Sequence, residues 1–81
     1  MSLDELRHLL AAVHGGMDDA RAHFDRARGL LQESRRAIVD AQAQAQPWLP
    51  PQLAKAFDQL DTQTGRLDNA DELLTRYEAR L

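Results

Sequence analysis

Residues 3–45 read LDELRHLLAAVHGGMDDARAHFDRARGLLQESRRAIVDAQAQA, and steps of three and four residues pick out Leu3, Leu6, Leu10, Val13, Met17, Ala20, Phe24, Ala27, Leu31, Ser34, Ile38, Ala41 and Ala45. That spacing places one residue per turn on the same side of an α-helix, the stripe by which a long helix lies against another. In heptad notation, a to g, the large residues Leu3, Leu10, Met17, Phe24, Leu31 and Ile38 hold position a. Position d becomes small after Val13, with Ala20, Ala27, Ser34 and Ala41. Large residues alternating with small ones let facing layers interdigitate.

The ends of this helix are written in its flanks. Ser2 and Glu5 form an S-x-x-E capping box, and Asp4 adds negative charge at the positive end of the helix dipole, so the helix starts at Leu3. Gly15 and Gly16 are its weakest point, each costing about 0.8–1 kcal/mol relative to alanine in a helix interior. The pair either breaks off residues 3–14 as a short separate helix or softens one long helix. The step from Val13 to Met17 keeps the phase of the stripe, which favours continuity.

Pro47, Pro50 and Pro51 then form the turn, with Pro51 at or near the first position of a second helix. The expected elements are a helix over 3–46 and a second over 51–81, the latter carrying Leu53, Leu60, Leu67, Leu74 and Leu81 at intervals of seven. Phe57, Thr64, Ala70 and Tyr77 fill out that second stripe, beside which Asp71 and Glu78 also lie. Trp48, inside the turn, reads as a cap on the open end of the helix pair, with a recognition hot spot as the alternative.

A short turn makes the two helices antiparallel. Folding about Trp48 and Leu49 sets Leu81, Leu74, Leu67, Leu60 and Leu53 opposite Met17, Phe24, Leu31, Ile38 and Ala45. The same register brings two members of the position-e series (Arg7, His14, Arg21, Arg28, Arg35) to acids, Arg28 near Asp68 and Arg35 near Asp61. It also leaves residues 3–16 beyond the end of the second helix. Leu3, Leu6, Leu9, Leu10, Val13 and Met17 are therefore the candidate oligomer interface, because burying such a side chain is worth about 1.5–3 kcal/mol. Either the glycine pair bends and the segment folds back as a third helix, or a second chain covers it. The second option is favoured, and two hairpins then make a four-helix bundle.

Composition agrees with an all-α chain and bounds its function. At 81 residues, one domain (1–81) is the limit, near the size where self-association commonly supplements the core. The net charge of -3 and the alternation of basic with acidic residues argue against a nucleic-acid face. Without cysteine there is no disulfide or thiolate chemistry, and the absence of a long apolar run argues against a membrane span. MSLDEL lacks the build of a signal peptide, so the expectation is a cytoplasmic protein, with export by a route needing no cleaved signal as the alternative. Arginine outnumbers lysine nine to one, a bias that accompanies GC-rich genomes.

His8, His14 and His23 do not share i, i+4 spacing, and the adjacent acids Asp18–Asp19 and Asp71–Glu72 diverge on a helix. No metal, cofactor, small-molecule substrate or enzymatic activity is expected.

Two long amphipathic helices, no signal peptide, and Trp48 in the turn give a chain that resembles the WXG100 (ESX-type) family of small helical hairpins, from type VII secretion systems of actinobacteria and firmicutes. The chain departs from that pattern at two motifs. Trp48, Leu49 and Pro50 stand where the family has Trp-x-Gly, and Tyr77 is followed four residues on by Leu81 where the family has Asp or Glu. The resemblance implies a homo- or heterodimeric four-helix bundle and secretion. The expected function is a non-enzymatic protein–protein interaction module that self-associates through its first helix or pairs with another helical protein. The alternative is a type VII secreted or secretion-associated factor.

Overall fold

A computed structural model describes residues 1–42 and 48–81. It contains helix α1, Leu3–Ala41, and helix α2, Pro51–Glu78, and no strand among the described residues. The two pack antiparallel as a hairpin 65 Å long and 15 Å across.

Helix α1 begins where the capping box sets it. The Ser2 hydroxyl accepts the Glu5 backbone N–H at 3.1 Å, occupying one of the first-turn donors that an α-helix cannot pair internally. The helix runs unbroken through Gly15 and Gly16, and neither glycine takes a positive φ.

The first helix ends five residues short of the expected boundary at 46. Gln42 leaves helical geometry (φ -103°, ψ 17°), and its side-chain Oε1 accepts the Trp48 backbone N–H at 2.6 Å, which draws the chain across the turn. The expected continuation through Ala43, Gln44, Ala45 and Gln46, like Pro47 after them, lies outside the described residues. Helix α2 starts at Pro51, whose missing N–H costs nothing at a first helical position. It stops at Glu78 rather than 81. The last bonds there, Arg80 N–H to the Tyr77 carbonyl and Leu81 N–H to the Glu78 carbonyl, both 3.1 Å, are of the tighter i to i+3 kind that closes helix ends.

The earlier end of α1 moves the fold point, and with it the register, by one heptad. Arg28 pairs with Asp61 and Arg21 with Asp68, in place of the expected Arg28–Asp68 and Arg35–Asp61. Glu78 reaches His14, and Leu81 lies in the same crevice as Arg7, Leu10 and His14. The leucines of α2 still fall level with position-a residues, now Leu10 to Ile38 rather than Met17 to Ala45. Leu81 thereby gains Leu10 as neighbour, where the expected register would have offered Leu53 only the small Ala45. The overhang shrinks accordingly, from residues 3–16 to the first turns of α1.

Within the pair, Leu10, Met17, Phe24, Leu31 and Ile38 of α1 are half-buried, as are Leu53, Phe57, Leu60, Thr64, Leu67 and Leu74 of α2. Asp71 and Glu78 continue the α2 seam, whereas Ala70 and Tyr77, expected there, are exposed. Among the described residues none is fully buried.

The space around Gly15 and Gly65 is open, since a Cβ at either meets nothing within 4 Å. Gly15→Ala and Gly65→Ala are each expected to stabilise the fold by about 0.8–1 kcal/mol. Thermal unfolding followed by circular dichroism should rise by about 4–8 °C per kcal/mol for a chain of this size. A fall in melting temperature would show that a neighbour occupies the space.

Candidate functional site

The helix pair has two unlike flanks, and both follow from which heptad positions α1 turns toward α2. Positions a and e face the partner helix: His14, Arg21 and Arg28 at e are half-buried beside the a-position side chains. Position g and much of position d are left open on the other side, with Leu6, Ala20 and Ala27 of position d half-buried.

The e flank is clasped by charge. His14 Nδ1 lies 3.0 Å from Asp71 Oδ1 and its Nε2 2.8 Å from Glu78 Oε1, so the ring bridges two carboxylates one helical heptad apart. In its doubly protonated form the imidazole donates to a carboxylate from each nitrogen. Arg21 pairs with Asp68 and sits 3.7 Å from Asp71, and its hydrogen bond to Asp68 and the charge of that carboxylate hold the guanidinium pKa above its ordinary value. Arg28 pairs with Asp61 one heptad further on. Arg35, expected in this ladder, is exposed and has no ion-pair partner among the described residues, because Asp61 is taken by Arg28.

The opposite flank is apolar and small. Leu6, Leu9, Val13, Gly16, Ala20, His23, Ala27, Leu30, Ser34, Ala37 and Ala41 follow one another at steps of three and four along α1, without a formally charged residue. Leu9 is 53% exposed, Val13 46% and Leu30 58%. Helix α2 adds Ala56, Ala70, Leu73 and Tyr77. Between Ala27, Leu30 and Ser34 of α1 and Ala56 and Leu60 of α2 runs an open groove of about 810 Å³, whose α2 wall also carries the polar side chains of Lys55, Asp58, Gln59, Gln63 and Arg66.

The six residues expected to form one oligomer interface are therefore divided between two surfaces. Leu10 and Met17 are half-buried at position a, toward α2, while Leu3, Leu9 and Val13 are exposed and Leu6 is half-buried on the open flank. Leu30 and Leu73 were not singled out by the sequence. The signal that finds Leu30 is the second 3-4 series, offset by one step from the first, which becomes meaningful once α2 is known to cover a and e. Trp48 is 63% exposed at the hairpin tip and does not close over the helix ends.

Among the described residues, no group of three His, Cys, Asp or Glu side chains is placed to hold a metal ion. The two carboxylates at His14 approach opposite ring nitrogens and so do not converge on one point. No described helix is long and apolar enough to cross a membrane. No protein-family model, curated protein or solved structure matches the chain.

The register can be tested by charge exchange. Arg28→Asp should destabilise the hairpin by about 0.5–1 kcal/mol, the range for partly exposed pairs. Adding Asp61→Arg should recover most of that loss, and adding Asp68→Arg should not. Recovery with Asp68→Arg instead would restore the longer register.

Proposed function

We propose that this chain is a non-enzymatic helical interaction module that acts by associating with another helical chain, a second copy of itself first, through the apolar flank of α1. The observation that carries this reading is area. The chain exposes 6431 Å², whereas a compact monomer of 9.1 kDa exposes about 4,900 Å² by the scaling of folded proteins. Its radius of gyration is 18.9 Å, against about 12 Å for a globular chain of the same length. A hairpin with no fully buried side chain among the described residues lacks the core that offsets the conformational entropy of ordering two long helices. Covering the open flank supplies that core.

The interface of this reading is Leu3, Leu6, Leu9 and Val13, extended along the flank to Leu30. Leu10 and Met17 support the hairpin itself.

A second reading, a type VII secreted or secretion-associated factor, is favoured by one feature, the exposed Trp48 at the turn of a two-helix hairpin. A neighbouring gene for an FtsK-like ATPase or for a second small hairpin protein would support it. A genomic setting without any secretion gene would count against it.

Linkage supplies the test of the first reading. If folding requires association, each tenfold rise in protein concentration adds about 1.4 kcal/mol to stability and raises the melting temperature by about 3–6 °C for a dimer. A melting temperature independent of concentration, together with sedimentation of a folded 9.1 kDa species at tens of micromolar, would overturn it.

A further inference from the structure

We infer that the occupant of the open flank is a second copy of this chain, packed two-fold and antiparallel with α1 against α1, in the register that sets Asp19 opposite Arg26 of the copy. This rests on the self-association proposed above and deepens it by naming the face and the register.

The first argument is area. The chain exposes about 1,500 Å² more than a compact chain of its mass, so two copies together have about 3,000 Å² to bury. That falls within the roughly 2,000–5,000 Å² of obligate homodimers. A two-fold interface uses the same patch on both copies, and the uncharged stripe along α1 is such a patch, long enough to meet itself.

Volume decides the direction. The stripe is bulky at its start, where Leu6, Leu9 and Val13 lie, and mostly small toward Ala41. A parallel arrangement sets Leu6 on Leu6 and Gly16 on Gly16, crowding one end and leaving voids at the other. An antiparallel arrangement pairing residues whose numbers sum to about 43 sets Leu6 level with Ala37 of the copy and Gly16 with Ala27. Leu9 and Val13 then enter the groove of about 810 Å³ between the copy's helices. Leu30, Leu31, Ala56 and Leu60 provide its apolar floor, and the long polar side chains of Lys55, Gln59 and Arg66 at its α2 wall cover the contact with their aliphatic stems.

Charge decides the register. Position c borders the stripe and carries Glu5, Asp19, Arg26, Glu33 and Asp40, of which Asp19 and Arg26 are exposed and form no ion pair among the described residues. In antiparallel packing, positions flanking the seam meet their own kind. At the stated register Asp19 meets Arg26 of the copy twice over, once on each side of the two-fold axis and close to it, and the like-charged pairing of Glu5 with Asp40, which also occurs twice, falls at the outer ends of the contact. A slip of one heptad in one direction sets Arg26 on Arg26, and in the other Asp19 on Asp19. Both slips place like charges at the centre of the interface, where they disfavour it.

The chain has no native cysteine, so a single introduced one reports cleanly. Arg36→Cys, on the solvent side of α1, is spin-labelled and the distance between labels is measured by pulsed electron spin resonance alongside sedimentation equilibrium. The antiparallel register puts the two labels about 45 Å apart, from 1.5 Å of rise per residue on each side of the axis. In parallel, Asp19→Arg is expected to raise the dimer dissociation constant about tenfold, since it turns two attractive pairs into two repulsive ones. The double variant Asp19→Arg/Arg26→Asp should return it to within about threefold of the original chain. A dimer with labels closer than about 25 Å overturns this arrangement and leaves self-association standing. A dimer insensitive to Asp19→Arg overturns the register. A folded monomer at tens of micromolar overturns both.

Discussion

A helix with one neighbour can turn only one side of its apolar stripe inward, and every other property of this molecule follows from that limit. The stripe on α1 is broader than a single contact, as core-facing helices generally require. Helix α2 takes position a and the e flank, and position g with much of d is left open, Leu6, Ala20 and Ala27 being half-buried. The consequence is a rod 65 Å by 15 Å in which no described side chain is fully buried, even though the heptad pattern is unbroken from Leu3 to Ala41. Regularity of pattern thus measures how many helices the chain is prepared to meet, not how well one hairpin is packed.

The register of the pair is controlled by the turn. Heptad repeats are degenerate: sliding α2 by seven residues keeps every leucine level with a position-a residue. Because Arg21, Arg28 and Arg35 are spaced by sevens, as are Asp61 and Asp68, the charge ladder slides with them and selects nothing between the two registers. What breaks the degeneracy is the point at which α1 stops. Gln42 turns the chain at that point, capturing the Trp48 N–H, and the hairpin closes one heptad sooner than a helix continuing to 46 would allow. The ends then improve on both counts: His14 finds Asp71 and Glu78, and Leu10 finds Leu81, while Arg35 has no ion-pair partner among the described residues.

This explains which features were legible in the sequence. The Ser2 cap, the passage of α1 through Gly15 and Gly16, the Pro51 start and the position-a seam depend on residues close in the chain or on periodicity, and both are visible in one dimension. The hairpin as a fold was legible for the same reason. The end of α1 was not, because Ala and Gln are good helix formers and AQAQAQ carries no local stop signal before Pro47. The division of Leu3, Leu6, Leu9, Leu10, Val13 and Met17 between two surfaces was hidden as well. It depends on whether α2 leans toward e or toward g, which is a property of the pair and of the Asp71 and Glu78 side chains that reach for His14.

The lean toward e also sets how the molecule meets others. Each ion pair on that flank contributes little to stability, about 0–1 kcal/mol where exposed. Their larger effect is to fill the e side with charges already matched within the chain, so that a further helix arriving there would have to strip them of water. The d and g positions of α1 carry no formal charge over residues 6–41, so the cost there is confined to Lys55, Asp58 and Arg66 along the α2 wall of the groove. Were both flanks apolar, each hairpin would offer two binding faces and copies would add head to tail into an open array. One apolar flank on a two-sided rod permits a single self-complementary contact that closes upon itself. Under the proposed self-association, the charges that align α2 therefore also limit the number of partners, by leaving one face on which helix packing is favourable.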